Sequence, residues 1–64
     1  MKKFRTIYVV EAYTKEGESV AQRFARNKKV AEKIERQYHG YETHVLPVHP
    51  RDFIYIDTKD VECI

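Results

Sequence analysis

Cysteine, glycine, proline and tryptophan are scarce in this sequence of 64 residues, which has one cysteine, two glycines, two prolines and no tryptophan. The single cysteine, Cys63, forms no disulfide within the chain and supplies no cysteine-based zinc site. Two glycines are too few for a glycine-rich loop that binds phosphate. Because a lone cysteine is typical of proteins in a reducing compartment, we expect a cytoplasmic protein.

Long apolar runs are also missing. The apolar stretch near the start of the chain is interrupted by Arg5 and Glu11, which argues against a signal peptide. No run approaches the roughly 18 apolar residues of a membrane-spanning helix, so we expect no membrane partner. Hydrophobic residues make up 42% and charged residues 34%, a composition typical of one globular domain over residues 1–64. A chain this short builds a small core and leaves little interior for an enclosed active site.

Residues 4–13 give the strongest strand signal, because they are rich in β-branched and aromatic side chains and contain no glycine or proline. Side chains alternate between the two faces of a strand. One face would carry Tyr8, Val10 and Ala12, and the other Ile7, Val9, Glu11 and Tyr13. Both faces are largely apolar, which predicts a central strand covered on both sides, with a partner as one cover.

Residues 19–26 permit two interpretations. In the first, Gly17 forms a turn by adopting positive φ, residues 20–25 return as the second strand of a hairpin, and Asn27 caps a helix over residues 28–38. In the second, one long helix begins at residue 19 and buries a stripe of apolar residues. We favour the hairpin because a Glu-Gly turn lies between two strand-like runs. The glycine at position 40 ends the helix in both interpretations.

The remainder of the chain predicts further strands. Residues 41–48 read as a strand in which Pro47, lacking an N–H group, belongs at an edge or a strand end. Residues 49–52 form a turn, residues 53–57 a short final strand, and residues 58–64 a flexible acidic tail. The predicted fold is α+β, with the order ββαβ or ββαββ and the helix packed on one face of an antiparallel sheet.

Charge is distributed unevenly along the chain. Residues 1–40 contain ten basic and five acidic residues, whereas residues 41–64 contain two and five. On a helix, the basic residues fall within a narrow arc opposite the apolar stripe; they are Arg26, Lys29, Lys33 and Arg36. This arc is a candidate electrostatic site for nucleic acid. We favour the simpler interpretation of an ordinary solvated helix face, supported by a Glu32–Arg36 pair, because exposed lysines on a small helix are common.

Metal binding and catalysis find little support. The three histidines, His39, His44 and His49, are five residues apart, and this odd spacing places successive histidines on opposite faces of a strand. Their spacing matches no zinc motif. Cys63 follows Glu62 and has no positioned base nearby in sequence. We therefore expect no metal, no cofactor, no small-molecule substrate and no catalytic residue.

Four segments resemble small bacteriophage and prophage proteins of Gram-positive bacteria. These are Tyr8-Val-Val-Glu-Ala-Tyr-Thr-Lys-Glu-Gly-Glu, Val20-Ala-Gln-Arg-Phe, and Lys29-Val-Ala-Glu-Lys-Ile followed by Gly40-Tyr-Glu-Thr. The resemblance covers roughly residues 5–48. It implies a strand, a glycine turn, a second strand and a helix ending in Gly-Tyr, and a protein that binds and modulates or inhibits a host factor such as a defence system. It implies no particular functional residue.

The combined sequence evidence favours a non-catalytic protein that binds another protein. The candidate contact residues lie on the second face of the first strand, at Ile7, Val9, Glu11 and Tyr13. A homodimer formed through the sheet face or an edge strand is the simplest version, because exposed apolar faces and unpaired edges favour association. The alternative is a protein that binds nucleic acid through Arg26, Lys29, Lys33 and Arg36.

Overall fold

Four strands and one α-helix build the fold in the computed structural model, which describes residues 6–63. In chain order they are β1 (Tyr8–Tyr13), β2 (Ser19–Ala25), α1 (Lys28–Arg36), β3 (Glu42–Pro47) and β4 (Val61–Glu62). The strands lie side by side in the order β3-β1-β2-β4. β1 is antiparallel to both β2 and β3, whereas β4 is parallel to β2. The predicted α+β class is confirmed, and the sheet is mixed instead of wholly antiparallel.

The hairpin interpretation of residues 19–26 is confirmed. Gly17 has φ of +90°, its N–H donates to the Thr14 carbonyl at 2.9 Å, and the Thr14 N–H donates to the Glu18 carbonyl at 2.9 Å. Glycine is favoured at position 17 because only it adopts positive φ without a steric penalty. The β1–β2 register shifts at Ala12 and Tyr13, where β2 contains a bulge.

Helix α1 begins where the sequence places its cap. The side-chain oxygen of Asn27 accepts a hydrogen bond from the Val30 N–H at 2.9 Å, which satisfies one of the free donors at the helix start. Val30, Ala31 and Ile34 are buried on one side of the helix, where they form the core with sheet residues Val10 and Ala25. No helix within residues 6–63 is long and apolar enough to cross a lipid bilayer.

The predictions for the last part of the chain were wrong. Residues 53–57 form no strand, because Pro50–Tyr55 is a 3₁₀ helix, with the Asp52 N–H donating to the His49 carbonyl at 2.8 Å. Residues 58–62 are not a loose tail either: Thr58–Asp60 is a second 3₁₀ turn and Val61–Glu62 is β4. The Arg26 N–H donates to the Glu62 carbonyl at 2.9 Å, and Val61 is only 6% exposed. Ile64 lies outside the described residues.

The two faces of the sheet are covered to different extents. Helix α1 packs over β1 and β2 on one face. On the other face, Ile7 and Val61 are buried, at 3% and 6% exposure, without belonging to the core beneath the helix. Both residues lie at the same end of the sheet. Residues 48–60 pass around this end and connect β3, at one edge, to β4, at the other. The opposite end of this face has no covering element within residues 6–63.

Candidate functional site: the open face of the sheet

The open face is the side of β1, β2 and β3 that faces away from α1. Cross-strand pairs share a face, so the register defines its rows: Val9 lies between Phe24 and Leu46, and Glu11 lies between Gln22 and His44. With the row of Tyr13, Ser19 and Glu42 added, the residues of these rows are Val9, Glu11, Tyr13, Ser19, Gln22, Phe24, Glu42, His44 and Leu46. This set includes two carboxylates, two aromatic rings and a histidine, and it contains neither lysine nor arginine.

The centre of the open face is a group of four side chains that we call the Glu11 cluster: Glu11, Tyr13, Gln22 and His44. The Tyr13 hydroxyl donates to Glu11 Oε1 at 2.8 Å, and Gln22 Nε2 donates to Glu11 Oε2 at 3.2 Å. The rings of Tyr13 and His44 meet edge to face, with centroids 5.6 Å apart and planes at 71°. Two neutral donors therefore hold the carboxylate in place, and its remaining lone pairs are available to a further donor.

The interaction within the cluster changes the acidity of Tyr13. Its pKa is raised, first because its hydroxyl donates to the Glu11 carboxylate, then through partial desolvation and repulsion from the Glu11 charge. Replacing Glu11 by glutamine removes the charge while keeping an acceptor, so we expect the pKa of Tyr13 to move down toward 10. Tyrosine ¹³Cζ chemical shifts followed against pH measure this change. Equal titration of Tyr13 in the wild type and in E11Q would show that the hydrogen bond is not formed in solution.

Three of the four sheet residues expected from the sequence lie on the open face. Val9, Glu11 and Tyr13 are half-buried there. Ile7 lies at the covered end of the same side and is 3% exposed, so it offers a partner little surface. Sequence reasoning did not connect Gln22 and His44 with Glu11. The signal that finds Gln22 is the register of the β1–β2 hairpin, and His44 follows only from the pairing of β1 with β3.

The basic residues of α1 lie on the other side of the sheet from the open face. All four predicted basic residues are exposed: Arg26, Lys29, Lys33 and Arg36. None of them forms an ion pair with another residue in the 6–63 region, so the expected Glu32–Arg36 pair is not formed. Arg26 precedes the Asn27 cap, so three of the four lie on α1 itself. The sheet separates this basic side from the open face, and a single small partner does not reach both.

Arg23 and its partners connect three elements on the helix side of the sheet. Its Nε and one terminal nitrogen bind the two carboxylate oxygens of Glu62, each at 2.6 Å. The other terminal nitrogen donates to Gln37 Oε1 at 2.7 Å and to the Tyr38 hydroxyl at 3.3 Å. These contacts raise the pKa of Arg23 and lower that of Glu62. Arg23 and Gln37 are thus bound to other residues of the chain.

The histidines do not come together. His44 belongs to the Glu11 cluster, His49 Nδ1 accepts hydrogen bonds from the N–H and Nε of Arg51 at 3.2 and 3.3 Å, and His39 is exposed in the turn after α1. Within the part of the chain that the structure describes, no group of three or more histidine, cysteine or acidic side chains is arranged to hold a metal ion.

Comparison with known proteins supplies no family for this chain. No family model matches it, and neither a curated protein nor a solved structure is significantly similar to it. The case for its function therefore depends on the geometry of its own residues.

Proposed function

We propose that this protein is a non-catalytic module that binds another protein through the open face. The observation that supports this most strongly is the Glu11 cluster. It fixes a partly buried carboxylate with neutral donors in the middle of a face that, among residues 6–63, has no lysine or arginine. Carboxylates in such surroundings favour a charged or polar donor, and a partner's arginine or lysine is the donor best suited to the remaining lone pairs.

The rest of the open face fits a protein partner. Val9, Phe24 and Leu46 form an apolar row beside Glu11, and Leu46 is 52% exposed. Aromatic residues are enriched in protein interfaces, whereas charged residues are depleted at their centres. The side chains are held on paired strands, so little conformational entropy is lost when a partner binds. We infer a partner that presents one cation opposite Glu11 and apolar side chains opposite the neighbouring row.

A homodimer formed by two open faces is the less favourable arrangement. Contact through the same face on both copies brings Glu11 and Glu42 toward their counterparts, and the described part of the face has no lysine or arginine to compensate them. Like charges that are desolvated together oppose association. The open face therefore suits a different protein, and self-association requires another surface.

A charge reversal on each side of the molecule tests this proposal. The tagged protein is used to capture partners from an extract of the cells in which it is made, with Glu11→Lys compared with Glu32→Lys. Glu32 is an exposed residue of α1, so both variants change the net charge equally. We expect one or more proteins to be retained by the wild type and by E32K, and retained at least about tenfold less by E11K. Equal retention by E11K, or a loss confined to E32K, would contradict the proposal.

The resemblance to small bacteriophage and prophage proteins suggests what kind of partner to seek. Such proteins are expected to bind host factors and to modulate or inhibit them. A rigid open face that lacks any enclosed catalytic site is suited to blocking a surface of a larger protein. We accordingly propose that the partner is a host protein, including a component of a defence system.

Nucleic-acid binding through the basic helix face is the second candidate. It is supported by the exposure of Lys29, Lys33 and Arg36 on one rigid helix, without ion pairs to other described residues. Its test is a titration with a short DNA duplex that compares Lys33→Glu with Lys15→Glu, a reversal in the hairpin turn. If this candidate is correct, K33E weakens binding far more than K15E. The logarithm of the wild-type binding constant then falls against the logarithm of the salt concentration with a slope near −3, about −0.9 for each phosphate contact. Equal affinities of the two variants would exclude it.

A further inference from the structure

We infer that a second copy of this chain pairs with the outer edge of β3, so that two four-stranded sheets join antiparallel into one continuous sheet. This inference goes beyond the proposed function, because it uses the strand edge and leaves the open face available to another protein. Unpaired strand edges are ready templates for a further strand, and β3 is an edge strand of this sheet.

The backbone of β3 has unused hydrogen-bonding groups on its outer side. The Val48 N–H donates to the Ile7 carbonyl at 2.8 Å, which shows that position 48 points toward β1. Backbone groups alternate in direction along an antiparallel pair. Positions 42, 44 and 46 therefore also point toward β1, and Thr43, Val45 and Pro47 point outward. The N–H groups of Thr43 and Val45 therefore face away from β1, and neither donates to a loop carbonyl among residues 6–63.

The position of Pro47 agrees with this alternation. Proline has no N–H, so it fits a strand only where the N–H would point away from the neighbouring strand. Pro47 is paired with Tyr8 at the end of β3, and its ring occupies the outer side. The free edge for a second strand thus consists of the backbone of Thr43 and Val45, which offers two donors and two acceptors.

The opposite edge of the sheet is less suited to pairing. β4 already covers β2 at Phe24 and Ala25, and the remainder of β2 contains the bulge opposite Ala12 and Tyr13. Bulges twist an edge and discourage pairing with another chain. β3 has no bulge in its pairing with β1, and the four residues between Glu42 and Pro47 include no lysine, arginine or acidic residue. Two copies of β3 therefore approach each other without repulsion between like carboxylates or ammonium groups at the centre.

Symmetry determines how two copies of β3 pair. An antiparallel pair of identical edges is related by a two-fold axis perpendicular to the sheet, which places both helices on the same face. Residues directly opposite each other share a face, so odd positions pair with odd positions. Pairing Thr43 with Val45 of the second copy uses all four outward N–H groups and keeps the Pro47 ring out of the ladder. His44 then lies opposite His44 of the second copy at the axis.

The helix leaves room for this arrangement. α1 packs mainly over β1 and β2. Its contacts with β3 include a hydrogen bond from the Thr43 hydroxyl to Glu35 Oε2 at 2.8 Å, and Val45 packs against the core beneath the helix. Leu46 and Tyr41, which are 52% and 47% exposed, flank the edge and gain neighbours from the second copy. The buried surface is small, so the dimer is expected to be weak and to dissociate on dilution.

Amide hydrogen exchange measured at two protein concentrations tests the pairing directly. Between about 10 μM and about 1 mM, a weak dimer of this size assembles. We expect the amides of Thr43 and Val45 to exchange about tenfold more slowly at the higher concentration, because they become hydrogen-bonded only in the dimer. The amide of His44, which is bonded to β1 in every state, is the internal control. Concentration-independent exchange at Thr43 and Val45 would overturn the inference.

Two lysine substitutions separate the β3 edge from other contacts. His44→Lys places two ammonium groups across the axis, whereas Gln22→Lys places the same charge on β2, on the same face but away from β3. Sedimentation is expected to show a monomer for H44K and a wild-type dimer for Q22K. If Q22K is monomeric, whether or not H44K is, self-association takes place through the open face or β2 and the inference is wrong. A monomeric wild type would exclude the dimer altogether. These results are independent of the E11K capture experiment, so either proposal can fail alone.

Discussion

An Ile34→Ala variant is expected to lose about 3 kcal/mol of the free energy of unfolding, within the roughly 2–5 kcal/mol observed for buried isoleucine-to-alanine changes. Ile34 is 1% exposed and is one of the two largest fully buried side chains of the described core. A chain of this length has a total stability of roughly 3–10 kcal/mol. The change thus removes a large part of it, and the midpoint of thermal unfolding should fall by more than about 10 °C.

Circular dichroism with heating and with urea measures this loss. Lys33→Ala is the matched control, because Lys33 is the exposed neighbour of Ile34 on the same helix and alanine favours helix formation. We expect the control to change stability by no more than about 0.5 kcal/mol. A loss below about 1 kcal/mol for I34A would mean that α1 does not pack on the sheet through Ile34.

An Arg23→Ala variant is expected to lose about 2 kcal/mol, since hydrogen bonds to charged groups contribute roughly 1.5–3 kcal/mol and this pair is partly screened by solvent. The guanidinium binds Glu62 with two hydrogen bonds and also contacts Gln37 and Tyr38. Its removal leaves the Glu62 carboxylate, 28% exposed, without its cation. Amide exchange should then become faster at Arg26, whose N–H holds β4 to β2.

The same pair makes stability depend on pH. Arg23 lowers the pKa of Glu62 below its ordinary value of 4.5, so the contribution of the pair is complete above that value and is lost as the pH falls through the lowered pKa of the folded state. We expect the unfolding free energy of the wild type to decrease over this acidic range more than that of R23A. Arg36→Ala, on the exposed side of α1, should retain the wild-type pH profile. Parallel profiles for the wild type and R23A would contradict the assignment.

The first two-thirds of the fold followed from local signals in the sequence. Gly17 between two strand-like runs predicted the hairpin, Asn27 predicted the start of α1, and Pro47 predicted the end of an edge strand. Each of these residues acts on its own neighbours in the chain, where propensity and turn chemistry are strong. Such signals are readable without knowledge of the tertiary structure.

The last third was not predictable in this way. β4 has two residues, and it is held by contacts to Arg23 and Arg26, which are more than thirty residues earlier in the chain. An acidic stretch near a chain end reads as a loose tail when its cation is unknown. Residues 53–57 have β-branched and aromatic side chains, yet the chain there forms a 3₁₀ helix while crossing from one sheet edge to the other. Tertiary context overrode the local propensity.

The candidate site was also predictable only in part from the sequence. Alternation in β1 placed Val9, Glu11 and Tyr13 on one face from sequence alone. Gln22 and His44 joined them only through the register of two strand pairs, one of which contains a bulge that shifts the count by one residue. Alternation placed Ile7 on the same side, but it did not indicate that Ile7 is buried.

The two proposals describe a molecule with distinct sides. Edge pairing through β3 would place two open faces next to each other on one side of a continuous sheet, with both helices and their basic residues on the other side. Such a dimer presents two copies of the Glu11 cluster to a partner, and two linked sites bind a divalent or repetitive target more tightly than one site does. Self-association and partner binding would then reinforce each other.

Site-specific photo-crosslinking in the cells that make the protein tests the central claim most directly. A photoreactive phenylalanine analogue replaces Tyr13 on the open face or, in a matched sample, Lys33 on α1. We expect the analogue at position 13 to form an adduct with a second, different protein, and the analogue at position 33 to form none. An adduct formed only from position 33, or only with nucleic acid, would contradict the claim that the open face is the binding surface.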